Sequence, residues 1–356
     1  MRFNDVFTAR SIAYRLTNDP SNAIPYLGEA FFPAKKKMGI DLKWIKGHNG
    51  LGIALKPSTY DALATIRPRE GFQVLKEEMP LFREAMKVSE QDMAELQRIA
   101  ESNDPYLNEV VNNVYNDVAN LYNGANVSTE RMRMSLLAPA NGEMAISIGL
   151  ADNTIYNYDY DPDDVWKGTN YLAISSPSDK WDAPSTAKPL NDIQTGIDAL
   201  ADKGYTAKYI LMNTATLNLL VACTQIANGL ISITGRTIDF VDRATAKEVI
   251  QRKTGLTPII YDKKFKGYDG VSAKFYPDNY ATIIGEDTLG NTYYGVTPEE
   301  RSLLGDPKVD VSVLDSGIAV AIQNIYGPPV RHETTVSQIV LPSYEGMDAV
   351  YVMKVA

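Results

Sequence analysis

At 356 residues the chain is longer than one compact core usually holds, so two lobes or subdomains are expected. Its 44% hydrophobic and 22% charged residues are ordinary for a globular protein and exclude a disordered one. A net charge of −9, with pI near 4.9, argues against a basic duplex-gripping domain, which would stand above about 9.

Residues 1–37 read as an N-terminal arm. Short apolar pieces (Phe3, Val6, Phe7, Ile12, Tyr14, Leu16) are broken by Asn18-Asp19-Pro20, then by Pro25 and Pro33. Such a segment cannot bury its own apolar face and must pack on something else. The triplet Lys35-Lys36-Lys37 reads as a solvated loop.

Residues 38–80 read as an extended β-hairpin loop. Ile40, Leu42 and Trp44 alternate, Gly47-His48-Asn49-Gly50 forms a turn, and an apolar run from Leu51 to Leu55 follows. Arg67-Pro68-Arg69-Glu70-Gly71 then leads to Phe72. A projecting, partly apolar ribbon costs stability in a lone molecule and makes sense under a partner. The candidates for inter-subunit contact are therefore Tyr26, Leu27, Phe31, Phe32, Trp44, His48, Leu51, Arg67, Arg69 and Phe72.

From Ser89 the period becomes helical. Ser89-Glu90-Gln91-Asp92 resembles a cap opening a helix towards Ile99. Asp104-Pro105 restarts a second helix, with Leu107, Val110, Val111, Val114, Val118 and Leu121 on one face, ending at Asn123-Gly124. A third helical stretch begins at Asn126 and runs through Leu137. Together these form a structural spine. Residues 142–160 alternate as two strands about a turn at Asp152-Asn153.

The loop-rich stretch 162–189 marks a subdomain boundary. Residues 190–306 then read as an α/β unit. A helix carries Ile193, Ile197 and Leu200, and a strand follows at Tyr209-Ile210-Leu211-Met212. A second helix is capped by Thr214, and a third, over 244–254, is closed by Gly255. Strands follow at 258–261, 273–276 and 281–285. The last residues, 307–356, return to β-structure at 309–313, 318–325, 335–341 and 349–355.

The catalytic inventory is thin. There are two histidines, His48 in the hairpin turn and His332 after Pro328-Pro329. The single cysteine, Cys223, sits in an apolar run and reads as a small buried hydrophobe. No Cys/His metal site, no Gly-x-Ser-x-Gly elbow and no Gly-Lys dipeptide is present. Gly50-Leu51-Gly52 lacks the third glycine of a dinucleotide fingerprint. The carboxylates of Asp159-Tyr160-Asp161-Pro162-Asp163-Asp164 suit an acidic surface turn, with a weak cation site as the alternative. Expected are no enzyme activity, no cofactor, no metal and no membrane span, the last because no stretch nears about 18 uncharged apolar residues. The lone thiol and the absence of a signal-like N-terminus point to synthesis in a reducing cytoplasm.

In order and spacing these segments resemble the lambda-type major capsid proteins of tailed bacteriophages, the capsid E family. Pro25-Tyr26-Leu27-Gly28-Glu29-Ala30-Phe31-Phe32-Pro33 is similar to the family's early Phe-Leu-Gly-Glu-x-x-Phe-Pro segment. Ile40-Asp41-Leu42-Lys43-Trp44, Arg69-Glu70-Gly71-Phe72 and Met79-Pro80-Leu81-Phe82-Arg83-Glu84 follow in the family's order. Ser337-Gln338-Ile339-Val340-Leu341-Pro342 and Asp348-Ala349-Val350 look like its closing strands. The resemblance covers nearly the whole chain.

It implies an α+β, tailed-phage major capsid fold, with an N-terminal arm (1–37) and an extended β-hairpin loop (38–80). A peripheral domain with a long spine helix (81–189), an axial domain (190–306) and returning peripheral strands (307–356) complete it. It also implies self-assembly into hexamers and pentamers of an icosahedral shell around double-stranded genomic DNA, bound without sequence specificity. Portal, scaffolding and decoration proteins are the implied partners, and the virion, assembled in the host bacterial cytoplasm, is the implied location. No long charged helical extension stands at the N-terminus to act as a fused scaffold. Two other readings compete: an encapsulin-like nanocompartment shell or another virion protein such as a tail component, and a hydrolase using the carboxylates near Asp161.

Overall fold

The computed structural model describes residues 25–39, 41–46, 73–88, 106–149, 155–234, 241–267, 270–303, 309–314, 317–325 and 331–356. The chain divides into two compact units. One comprises Met1–Leu42, Glu77–Arg133 and Asn291–Ser343; the other comprises Lys43–Lys76, Met134–Gly290 and Tyr344–Ala356.

In chain order, a short helix α1 (Leu27–Phe31) leads to strand β1 (Ala34–Lys36). Strands β2 (Asp41–Lys46) and β3 (Gln73–Glu78) pair as a two-stranded ribbon, and β4 (Leu81–Val88) follows Met79-Pro80. The helix α2 (Tyr106–Leu137) runs for 32 residues, about 48 Å at 1.5 Å per residue. The break expected at Asn123-Gly124 is absent, and one helix replaces two. Glycine in a helix costs about 1 kcal/mol against alanine, and the helix runs through Gly124 all the same. Ser128 Oγ and Thr129 Oγ1 donate to the carbonyls of Gly124 and Ala125 (3.1 and 3.2 Å), and Gln338 Nε2 donates to Ala125 O at 2.8 Å. The helix predicted from Ser89 to Ile99 lies outside the described residues.

Next come the antiparallel pair β5 (Ala145–Gly149) and β6 (Ile155–Asp159), whose connecting turn is outside the described residues. Helix α3 (Val165–Asn170) runs straight into β7 (Tyr171–Ala173). Then follow α4 (Pro189–Asp202), β8 (Tyr209–Met212), α5 (Thr214–Ala222), α6 (Thr224–Thr234), α7 (Arg243–Thr254) and β9 (Thr257–Ile260). Strands β10 (Lys264–Lys266) and β11 (Ser272–Lys274) form a small antiparallel ribbon before β12 (Tyr280–Ile284). The rest is β13 (Thr292–Tyr294), β14 (Val309–Leu314), β15 (Ile318–Ile325), β16 (Arg331–Pro342) and β17 (Val350–Lys354).

The first unit is organised by β16. Its residues from His332 to Ile339 pair antiparallel with β4, and its last three pair with β13. Strand β15 pairs with β16 from Arg331 to Ser337, and β14 pairs with β15. Strand β1 joins β13 in parallel, Ala34 opposite Thr292, so Lys35 and Lys36 belong to a strand and not to the predicted loop. An ion pair of 2.5 Å between Lys36 and Glu300 helps fix it there.

The second unit holds a five-stranded sheet in the order β7-β17-β12-β8-β9. Strand β17 is antiparallel to β12 and parallel to β7. The strands expected over 307–356 thus lie in two sheets, β14 to β16 in one and β17 in the other. The run Val350-Tyr351-Val352-Met353 is buried on both faces, which only a central strand allows. Nor does a break fall at 162–189: Trp181 is wholly buried, its amide donating to Val355 O, and this stretch belongs to the same unit.

Helix α4 lies against the sheet through Gly196, where a Cβ would stand 2.6 Å from Ile283 Cδ1 and 2.8 Å from Tyr351 Cδ1. Helix α5 is capped by Asn213, whose side chain accepts from the Thr216 amide at 2.9 Å, one residue before the cap read from sequence. Helix α7 starts at the Asp242 cap and ends on Gly255 in the left-handed region (φ 77°), as its sequence signals. Among the described residues no single helix is long and apolar enough to cross a membrane; α5 and α6 are apolar because Leu217, Leu220, Ile226 and Leu230 are core residues.

Candidate assembly interface

The segment 25–37 is stitched to the first unit by polar bonds around one buried ion pair. The Gly28 amide donates to Glu130 Oε1 (3.0 Å), and Glu130 Oε2 stands 3.6 Å from Arg133 Nη1. Arg133 Nε donates to Thr292 Oγ1 (2.9 Å), and that hydroxyl donates to Phe32 O (2.9 Å). Both charged side chains are almost fully buried, a position charges hold only when paired and hydrogen-bonded. Gly28 is required by the approach of α1, since a Cβ there would meet Glu130 and Arg133 within 2.8 Å.

This stitching decides the fate of four contact candidates. Phe31 and Phe32 are buried, 4% and 0% exposed, so their apolar surface is already covered within the chain. Tyr26 and Leu27 are half-buried. Burial, then the charge of Glu130, pushes the Tyr26 phenol up to about 12. Trp44 lies in β2, with its side chain outside the description. His48, Leu51, Arg67, Arg69 and Phe72 fall outside the described residues.

Other surfaces went unread in the sequence. Strand β4 carries Leu81 and Met86 exposed at 41% and 38%, beside Arg83, which pairs with the buried Glu299 at 2.6 Å. Ser337 Oγ also donates to that carboxylate at 2.7 Å. The ribbon β10–β11 presents Lys264 and Lys266, foreshadowed by the alternation in Lys264-Phe265-Lys266.

Among the described residues, the Asp161 carboxylate and the Cys223 thiol serve the fold. Asp161 is buried beside the start of α3: its Oδ2 accepts from the Lys167 amide at 3.0 Å, and its own amide donates to Asp159 Oδ1 at 2.9 Å. Among the described residues no three His, Cys, Asp or Glu side chains are grouped to hold a metal ion. Cys223 is buried, and burial with the nearby Asp192 charge pushes its thiol up to about 11, away from the nucleophilic thiolate. Asp192 is itself raised by burial while accepting from Trp181 Nε1 at 2.9 Å. A cleft of about 370 Å³ is lined by Lys264, Ser272, Lys274 and Asp278, and Asp278 holds Lys274 there at 2.6 Å.

Comparison with known proteins agrees with a structural role. The chain matches the model of the family described as phage major capsid protein E over residues 8–311. No curated protein matches it significantly. A prophage protein of Escherichia coli CFT073, described as a capsid protein, superposes with a TM-score of 0.60 at 13% identity, covering 98% of this chain and 99% of that one. A phage-related protein from Bordetella bronchiseptica RB50 gives 0.54 at 13% identity, with 98% and 96% covered. The capsid asymmetric unit of cyanophage A-1(L) gives 0.52 at 12% identity, with 93% and 92% covered. At these identities the structures speak for the fold, the tailed-phage capsid fold, and the family model speaks for membership. The chain belongs to the phage major capsid protein E family.

Proposed function

We propose that this capsid protein works by geometry alone, assembling as hexamers and pentamers into an icosahedral shell around double-stranded phage DNA, without enzymatic activity. The family match over residues 8–311 carries this reading. In it, residues 1–37 act as an arm, 38–80 as an extended loop reaching a neighbour, α2 as the spine, and the β8–β12 region as the axial part. Tyr26, Leu27, Trp44, His48, Leu51, Arg67, Arg69 and Phe72 are the contacts we assign to arm and loop; Phe31 and Phe32 hold the base of the arm. Assembly takes place in the host cytoplasm, with scaffolding and portal proteins and, on the finished virion, a decoration protein.

The acidic charge of −9 supports weak, non-specific contact with the genome, because a strongly basic wall would hold DNA too tightly to pack and release it. The test is direct. The full chain, expressed and purified, is expected to give rings or closed particles in negative-stain micrographs, with nuclease-protected DNA in particles recovered from infected cells. Monomers at every salt and protein concentration would remove the shell reading. Closed particles holding an enzyme and no nucleic acid would turn it into a nanocompartment.

A further inference from the structure

We propose that neighbouring copies meet head to tail through two patches of the second unit: the basic ribbon β10–β11 of one copy and the acidic turn preceding α3 of the next. The proposal rests on the shell-forming reading and names the surfaces that would serve it.

Topology places these patches apart. The sheet order β7-β17-β12-β8-β9 makes β7 and β9 its opposite edges, about 19 Å from one another at 4.8 Å per strand spacing. The acidic turn and α3 run without a gap into β7, whereas β10 begins a few residues after β9 ends. A molecule with a different patch at each edge makes a heterologous contact, the kind that closes into rings.

Chemistry then gives the patches opposite signs. In the ribbon, Lys264 lies directly opposite Lys274, with Lys266 on the same face two residues along. Like charges opposed across a strand pair repel, so this face favours anions beside it. Asp278 holds Lys274 at 2.6 Å, but Lys264 and Lys266 are exposed and make no ion pair among the described residues. The other face is fixed by Phe265 against Phe275, with centroids 4.8 Å apart, so the lysines are directed away from the aromatic contact.

On the other edge, Asp159, Asp163 and Asp164 are exposed around the buried Asp161. Asp164 adopts φ 53°, and its carboxylate remains 76% exposed despite Lys167 at 3.9 Å. Each patch also exposes one valine beside its charges, Val271 at 61% and Val165 at 62%. A chain of net charge −9 repels its own copies unless opposite signs are brought face to face, and this pair of patches does that.

The experiment uses the full chain and two charge reversals: Lys264→Glu with Lys266→Glu, and Asp163→Lys with Asp164→Lys. Each reversed protein alone is expected to need at least about tenfold more protein than wild type to form rings, since every contact becomes like-charged. Mixed in equal amounts they are expected to recover rings, because each ribbon again finds a patch of opposite sign. Neighbours must then alternate, so native mass spectrometry should find even-numbered rings and no pentamers. Should a reversal impair folding, judged by circular dichroism, Lys264→Gln with Lys266→Gln gives the same test with an intermediate shift.

Wild-type assembly by either reversed protein alone would overturn the proposal and leave the shell reading standing. So would a mixture that stays monomeric. If the ribbon reversal abolished DNA retention and left ring formation intact, the ribbon would face nucleic acid and the proposal would fail. Absence of assembly by wild type would remove both readings together.

Discussion

At the scale of single residues, the most consequential side chains are the buried charges beneath α1. Glu130 and Arg133 tie α1, α2 and β13 into one polar cluster. Removing one partner leaves the other charge buried, so Arg133→Ala is expected to cost about 3–5 kcal/mol in urea unfolding. A paired Glu130→Gln, Arg133→Met protein should lose less, and an equal loss would show that the cluster is not coupled. Protons at buried residues follow the same logic. The Cys223 thiol is moved by burial from 9.0 to about 11, and the Tyr205 phenol by burial and the nearby Asp348 and Glu286 charges from 10.0 to about 12. Both groups are neutral when protonated, and the unfolded chain releases those protons first. Their contribution is therefore complete below about pH 9 and disappears as pH rises through about 9 to 12. Urea midpoints should fall across that window, and Cys223 should react with a thiol reagent at about pH 8 only after unfolding.

At the scale of elements, two helix glycines make opposite predictions. A Cβ on Gly124 in α2 would meet nothing within 4 Å, so Gly124→Ala should stabilise by about 0.5–1 kcal/mol through helix propensity. A Cβ on Gly196 in α4 would strike Ile283 and Tyr351, so Gly196→Ala should destabilise by about 1–3 kcal/mol. Thermal melts of the two variants read both signs. The same comparison explains why α2 surprised. Asn123-Gly124 is a fair stop signal, but the helix runs through it, and Gln338 adds a bond to Ala125 O from a distant strand. Local propensity was legible there; the partner two hundred residues away was not. Where the decisive contact is local, sequence was enough, as at Gly255 closing α7.

At the scale of the whole molecule, a shell subunit must keep some apolar surface for its neighbours while folding alone. Trp44→Ala, or deletion of residues 46–52, is expected to abolish closed particles in micrographs while leaving the unfolding free energy from urea titration within about 0.5 kcal/mol of wild type. Normal particles from the deletion would mean that the loop is not a lattice contact. Phe31 and Phe32, by contrast, should lower stability first when cut to alanine, by about 3–5 kcal/mol each, because both are core residues.

Order along the chain was sufficient for much of this. The alternation of β5 with β6, of β15 and of β16, the helical face of α2 and the order of the family segments all depend on near neighbours, and periodicity records those. Which strands join which sheet depends on the tertiary structure. Residues 350–354 and 309–342 are similar apolar β-formers, yet β17 pairs with β7 and β12 while β14 to β16 lie in a separate sheet. The acidic run 159–164 reads as a surface turn and the lysines of β10 as surface charge; only the sheet order sets the neighbouring strands β7 and β9 at opposite edges. Burial and edge position are properties of the assembled sheet, and no window of neighbouring residues contains them.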